Sequence, residues 1–276
     1  MHLKLLIQYD GTDFVGSQLQ TNGRTVQGEL EVALARLAGN AVRVALAGRT
    51  DSGVHAWAQV ASLDFPERQR LATPNAIQRA LNGILPSDVA VTQADVAPEG
   101  FHARFSARRR AYRYLLLDAS APLPMLRRYS LFIRQHIDVE AMQQASALLV
   151  GTHDMAAFAG NAMGVPALSD QDETKPSTVR TVYLARLQRL APDANYWAWD
   201  APEPESGGKS SGLLALDLVA NAFLPQMIRT IVGTLLEVGK GKRTVESIRD
   251  LIESRDRRNA GPTARPQGLC LLWVEY

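Results

Sequence analysis

Between Ala47 and Trp57 the chain reads Ala-Gly-Arg-Thr-Asp-Ser-Gly-Val-His-Ala-Trp, with Asp51 near the centre. A carboxylate in a glycine-bounded turn, beside an arginine and a threonine, is a candidate nucleophile. Gly48 and Gly53 allow backbone angles closed to residues that carry a β-carbon, so the turn can push Asp51 outward. Arg49 and Thr50 can donate hydrogen bonds that favour the ionised acid. An isolated Asp-Ser-Gly is more often a turn whose acid caps its own backbone. The loop therefore needs support from the rest of the chain.

Two further clusters give it. The first runs Phe101-His-Ala-Arg-Phe-Ser-Ala-Arg-Arg-Arg-Ala-Tyr-Arg-Tyr114. If residues 108–114 form one strand, Arg108, Arg110, Tyr112 and Tyr114 share a face. Guanidiniums that meet phosphates, interleaved with rings that stack on bases, suit RNA. A half-buried strand with aromatic ladder contacts is the alternative, of equal weight on this stretch alone. The second cluster is the helical segment around Arg229. Pro225 suits a first turn, and Ile228, Ile231, Val232 and Leu235 make a buried stripe. Arg229 lies off that stripe beside Gln226 and Gly233. A cation in the first turns opposes the helix dipole and calls for an anion. Asp51, a phosphate or an arbitrary surface acid would each serve.

The chain has 276 residues, enough for about two domains, and 46% hydrophobic content supplies a sizeable core. The formal charge of +2 says little about partners, but its distribution says more. Residues 102–114 hold Arg104, Arg108, Arg109, Arg110 and Arg113 with no acid. Other basic groups fall at Arg127–Arg128, at Lys240, Lys242 and Arg243, and at Arg255, Arg257, Arg258 and Arg265. Such local density suits a polyanion. The single cysteine, Cys270, excludes an internal disulfide and reads as a buried thiol. No window approaches the ~18 apolar residues of a membrane span, so the expectation is a soluble cytoplasmic protein. His2, His55, His102, His136 and His153 show no ligand spacing, and the nucleotide-binding motifs are missing. Neither a metal nor a small-molecule cofactor is expected. His153-Asp154 reads as a cap or turn.

Elements that could position these groups follow from periodicity. Strands are expected over 2–9, 42–46, 57–63 and 89–96, with helices over 25–38 and 74–84. Thr25 and Gly39 suit the ends of the first helix. That order, β-α-β-β-α-β, is the ferredoxin-like split unit. In the second half, strands are expected over 109–117, 179–190, 213–220 and 269–276, and helices over 138–150, 225–238 and 244–254. The fold class is α+β: two ferredoxin-like, RRM-like halves in a largely antiparallel extended mixed sheet, with helices on one side and an RNA-binding cleft. The break falls within 101–107, giving an N-terminal half over 1–104 and a C-terminal half over 105–276. Residues 161–178 read as irregular, and 191–212 as a low-complexity excursion and loop tip. Tyr196, Trp197 and Trp199 either extend a hairpin or form a sticky patch.

Taken together, the clusters resemble the A-type tRNA pseudouridine synthases. Gly48-Arg-Thr-Asp-Ser-Gly-Val-His-Ala56 resembles that family's catalytic loop, and Phe101–Ala107 with Tyr112-Arg-Tyr114 its central strand. Val219-Ala-Asn-Ala-Phe-Leu-Pro-Gln-Met-Ile-Arg229 resembles its arginine-bearing helix. Tyr9-Asp-Gly-Thr12, Arg24-Thr-Val-Gln-Gly28, Val150-Gly-Thr-His-Asp154, Val179-Arg-Thr181 and Ala260-Gly-Pro-Thr-Ala264 follow in family order, so the likeness spans essentially the whole chain. Departures are Gly16-Ser-Gln18 where the family often has Gly-Trp-Gln, Met155 where Phe is usual, and Ala264-Arg-Pro-Gln-Gly268 in place of Ala-Pro-Ala before Gly-Leu. None touches the groups with proposed roles. The resemblance implies isomerisation of uridines 38, 39 and 40 in the tRNA anticodon stem-loop, by a homodimer and without a cofactor. It implies Asp51 as nucleophile, Tyr112 stacked on the target uracil and available for a proton transfer, Arg229 paired with Asp51, and Arg49 holding the flipped base out. The basic strand and the loop histidine, Arg108, Arg110 and His55, complete the expected RNA contacts. The competing readings are a non-catalytic RNA-binding protein on the same fold and a metal-dependent carboxylate nuclease.

Overall fold

The computed structural model describes residues 1–66, 71–160, 177–191, 196–197 and 212–276. Most of the expected irregular stretch 161–178 and of the excursion 191–212 lies outside the described residues. Those described contain ten strands and five helices, an α+β arrangement with mostly antiparallel pairing. Contacts divide the chain into two compact units: Met1–Tyr112 with Leu269–Tyr276, and Arg113–Gly268.

In the first unit, β1 (His2–Tyr9) alternates half-buried with buried residues, so Leu3, Leu5, Ile7 and Tyr9 enter the core. This is the period of two expected of a half-buried strand. β1 pairs antiparallel with β3 (His55–Asp64) and with β4 (Val89–Val96). β10 (Leu269–Glu275) joins the other edge of β3 in parallel, with Cys270 in register with His55. The expected strand over 42–46 shortens to β2, Ala45–Leu46, also paired with β3. α1 (Val26–Ala38) starts where Thr25 Oγ1 accepts from the Gly28 amide and ends at Gly39, φ 74°. It buries Val26, Leu30, Ala33, Leu34 and Ala38, while Leu37 sits at the half-buried margin. α2 (Pro74–Asn82) is capped by Thr73 and packs on β4, where Asn82 exchanges two hydrogen bonds with the Val91 backbone.

β5 (Arg109–Asp118) belongs to the first unit up to Tyr112 and to the second from Arg113; in the second the strand order is β5, β9 (Leu213–Ala220), β8 (Val179–Arg189), β7 (Gly151–Asp154), with β6 (Leu131–Ile133) parallel to β5. β8 pairs antiparallel with both β7 and β9. Every residue of β9 is buried, including Asp217. α3 (Val139–Ala147), capped by Asp138, packs against β8 and against α4 (Met227–Gly239). α5 (Ser247–Ser254) follows. α4 begins two residues later than Pro225 suggests, because Gln226 takes the left-handed conformation at φ 58°. For a residue with a side chain that costs about 1–2 kcal/mol. Ile228, Ile231, Val232 and Leu235 are buried as the stripe requires. Thr230, Thr234, Leu236 and Val238 are buried as well, so α4 is enclosed nearly all round.

Candidate active site

Main-chain bonds and buried side chains together hold the Asp51 turn. Asp51 forms an isolated antiparallel bridge with Gly16. Its carbonyl accepts from Val54 N–H at 3.1 Å, and Gly53 N–H donates to Phe14 O at 3.3 Å. Ser17 clamps the preceding residue in both directions: its N–H donates to Thr50 O at 3.0 Å, and its Oγ accepts from Thr50 N–H at 2.8 Å. Beneath the turn, Gln59 donates to Gly48 O at 2.9 Å. Thr50 does not serve the carboxylate as the sequence suggests. It is buried, and its Oγ1 is paired with the Tyr9 hydroxyl at 2.8 Å. Thr50 therefore anchors the loop to β1 while Asp51 stays half-buried and Arg49 exposed.

The glycine requirements also fall differently. Gly53 adopts φ 77°, but Gly48 has no positive φ. The closest approach to the turn is at Gly11, where a β-carbon would lie 1.9 Å from Val54 O. The Tyr9-Asp-Gly-Thr12 segment thus needs its glycine to let the loop settle on it.

Ser17 is fully buried, and nothing in its residue type suggests a role in chemistry. Ser17→Ala removes the acceptor of a buried amide, which costs about 1–3 kcal/mol. Because that amide belongs to the residue before Asp51, the variant is expected to lose turnover beyond what its lower melting temperature explains. Steady-state kinetics well below that temperature, with Ser17→Thr for comparison, check this.

Tyr112 and Arg110 line the turn from β5. A β-carbon at Gly48 would stand 3.7 Å from Tyr112 Oη and 3.8 Å from Arg110 Nε. Burial, chiefly, pushes the Tyr112 phenol well above its usual range, and the Asp51 charge adds to the effect. Tyr112 therefore keeps its proton in the resting protein at neutral pH and presents a flat ring that carries a hydroxyl. Burial likewise raises Tyr9 to about 12.

Arg110 is turned inward. Its Nε and Nη2 donate to Ala47 O at 3.3 and 2.9 Å, and Nη2 also to Arg104 O at 3.1 Å. It ties the strand before the Asp51 turn to the segment around Arg104. Arg108 is exposed and precedes β5. Tyr114 is fully buried and its hydroxyl donates to Arg265 O at 2.6 Å, so β5 does not offer a continuous Arg–Tyr face to solvent. His55 is buried too. Its Nδ1 accepts from Gly11 N–H at 3.0 Å and lies 3.2 Å from Asp10 Oδ1. That places it under the loop as a fastening.

Arg229 belongs to the second unit, half-buried in the first turn of α4. Its Nε donates to Ala264 O at 2.8 Å, and its carbonyl accepts from Ala264 N–H at 3.0 Å. Farther along α4, Gly233 packs so closely that a β-carbon would meet Pro262 O at 1.7 Å. Gly261 N–H donates to Thr234 Oγ1 at 3.0 Å. Two segments separate in sequence, 219–229 and 260–264, thus meet as one built feature.

The side chain that sequence reasoning missed is Arg113. It is 0% exposed, and its Nε and Nη2 donate to the two oxygens of the equally buried Asp217 at 2.6 and 2.9 Å. A single acid inside the apolar run Leu213-Leu-Ala-Leu-Asp-Leu-Val-Ala220 is the available signal. His153 Nε2 contacts Val150 O at 3.1 Å and Asp154 accepts from Ala156 N–H at 3.1 Å, which is turn chemistry. Among the described residues no cluster of three or more His, Cys, Asp or Glu could hold a metal ion, and no helix is long and apolar enough to cross a membrane.

Comparison with known proteins agrees across the length of the chain. A family model described as tRNA pseudouridine synthase matches residues 5–106 and 145–276. Asp51 and Arg229 fall inside those stretches, and Arg108, Arg110 and Tyr112 fall between them. The tRNA pseudouridine synthase A of Chloroflexus aurantiacus is 47% identical over 274 residues, covering 99% of this chain and 88% of the relative. That of Roseiflexus castenholzii is 42% identical, covering 100% and 90%. That of a Thermoanaerobacter species is 35% identical, covering 100% and 99%.

Proposed function

Because this chain belongs to the tRNA pseudouridine synthase family, we propose that it isomerises uridines 38, 39 and 40 of the tRNA anticodon stem-loop, with Asp51 as the nucleophile. The observation that carries this reading is the Asp51 turn. Its main chain is tied to Phe14, Gly16, Ser17 and Val54, its acid is only half-buried, and a protonated Tyr112 ring lies beside it. A rigid frame around a partly open carboxylate suits attack on a base or ribose carbon.

In the reaction the bond between N1 of uracil and C1′ of ribose breaks, and a bond between C5 and C1′ forms. C5 loses its proton and N1 gains one, so neither oxidant nor net water is consumed. Asp51 holds one fragment covalently while the base turns. Tyr112 supplies a flat apolar wall against which the freed base keeps its stacking. The uridine must first leave its stack at a cost of a few kcal/mol, and Arg49, exposed on the turn, is assigned to fill the space it vacates. Arg108 and the other exposed cations hold phosphates, so affinity falls steeply with salt. Arg110 and His55 act by fastening the loop. A cytoplasmic homodimer belongs to the same proposal, and sedimentation tests the dimer.

The decisive experiment incubates the pure protein with an anticodon-arm transcript carrying tritium at C5 of uracil. Released tritium, with pseudouridine mapped at 38, 39 or 40, supports the reading; tight binding with no release overturns it. Arg229 is assigned a charge-bearing part in the same reaction. Arg229→Ala is expected to lower kcat by roughly 10²–10³-fold, the usual effect of removing one electrostatic stabiliser. Arg229 also holds Ala264, so Arg229→Lys and thermal melts accompany the assay. Full activity in both variants would remove Arg229 from the mechanism.

A further inference from the structure

The segment Phe101–Ser106 carries a side chain that the proposed reaction does not use. Phe105 is 77% exposed. A lone exposed apolar residue is ordinary, but this one stands on a turn built with unusual care. His102 Nδ1 accepts from the amides of Arg104 and Phe105 at 3.2 and 3.3 Å. Ser106 N–H donates to His102 O at 2.9 Å, and Ser106 Oγ accepts from His102 N–H at 3.0 Å. Ala103 is fixed on both sides, by Ser62 Oγ at 3.0 Å and by the Tyr276 hydroxyl at 2.9 Å. Arg104 O is held by the same Arg110 guanidinium that binds Ala47 O, one residue before the Asp51 loop begins. The ring is thus presented by a rigid support joined to the proposed active turn.

Its surroundings are aromatic and cationic. The His102 ring stacks on Phe105 at 4.5 Å between centroids, tilted 30°. The Arg104 guanidinium carbon lies 5.6 Å from the Phe105 centroid. Burial, and then repulsion from Arg104, lower the Arg49 pKa. One exposed ring among cations is too small a patch for a protein interface, whose core needs contiguous apolar area. It does fit a nucleotide, which offers a flat π-face and a phosphate together.

The geometry points to Phe105 and Arg104 as a stacking site for an unpaired nucleotide of the substrate RNA, other than the uridine that reacts. Phe105 supplies the face and Arg104 the charge for the adjoining phosphate. The assignment rests on the reading that the substrate is a tRNA anticodon arm, and its test separates the two.

Phe105→Ala, Phe105→Leu and Phe105→Trp are assayed on anticodon arms in which each loop nucleotide in turn is replaced by an abasic sugar. Phe105→Ala is expected to raise KM on the intact arm by about ten- to a hundredfold, the cost of losing one base–aromatic stack, with kcat little changed. Phe105→Trp retains the wild-type KM and Phe105→Leu does not. One abasic position costs the wild type that same factor and costs Phe105→Ala nothing further, because the two partners of one contact are not additive. An unchanged KM in Phe105→Ala overturns the assignment. So does a loss spread evenly over every arm, or a change in sedimentation with RNA binding intact, which would mark a protein contact instead. Repeating the affinities in an Asp51→Asn background reads stacking even where no turnover occurs, so this assignment and the proposed reaction fail separately.

Discussion

Asp51→Asn is expected to reduce tritium release by 10³-fold or more, on the order seen when an enzyme loses its nucleophile, while affinity for the anticodon arm stays within a few-fold. The argument rests on what holds the turn. The bonds that shape it run through main-chain atoms of Asp51, Thr50 and Gly53 and through the side chains of Ser17 and Gln59. Asparagine preserves the size of the side chain and leaves all of these bonds in place. The amide is no nucleophile and cannot be ionised. The frame of the turn is therefore expected to survive the substitution, and a thermal melt of the variant checks that. Equal losses of affinity and turnover would make Asp51 structural, and unchanged turnover would remove it from the reaction.

The split between what the sequence discloses and what it hides follows from the range of each interaction. Local signals translated directly. Thr25 caps α1, Gly39 ends it at positive φ, and the alternation in residues 2–9 becomes the burial pattern of β1. The glycine-bounded acid turn was legible because its residue types are unusual together. The supports of that turn were not. Ser17 and Thr50, 33 positions apart, meet only when the chain returns, and neither type announces a partner. The Arg–Tyr alternation of 108–114 suggested an open face, yet Tyr112 and Tyr114 are both buried. Alternation tells which residues share a side and leaves open what covers that side. α4 shows the same limit from the other direction. Its apolar stripe was readable, but the close packing of Gly233 on Pro262 depends on a segment about thirty residues later. Gln226 at positive φ shifts the start of α4 by two residues, and no propensity favours that conformation for glutamine.

The largest expected effect on stability lies with Arg113 and Asp217. Both are fully buried. Arg113 spends Nε and Nη2 on the carboxylate, and its Nη1 donates to Tyr196 O at 2.9 Å. Removing one partner of such a pair typically costs about 3–5 kcal/mol, a large share of the ~5–15 kcal/mol that holds a domain together. The two single changes should not be equal. Asp217→Leu strands a guanidinium that cannot give up its proton. Arg113→Met leaves Asp217 with a second cation, Arg186, whose Nη2 lies 3.3 Å from Oδ2 and which is 43% exposed. A carboxylate can also take a proton when its partner goes. Asp217→Leu is therefore expected to be the more damaging, and the double variant Arg113→Met/Asp217→Leu to recover most of the loss. Chemical denaturation of the three proteins checks the order; equal single effects, or a double variant at the sum of both, would count against it. Under the proposed role of Tyr112, the pair is expected to matter for turnover as well. Tyr112 precedes Arg113 directly, and side chains alternate along a strand, so a slip of one residue would turn the Tyr112 ring to the opposite face. The double variant should thus regain stability more fully than turnover, since apolar contacts between Met and Leu tolerate sliding that a bidentate pair does not.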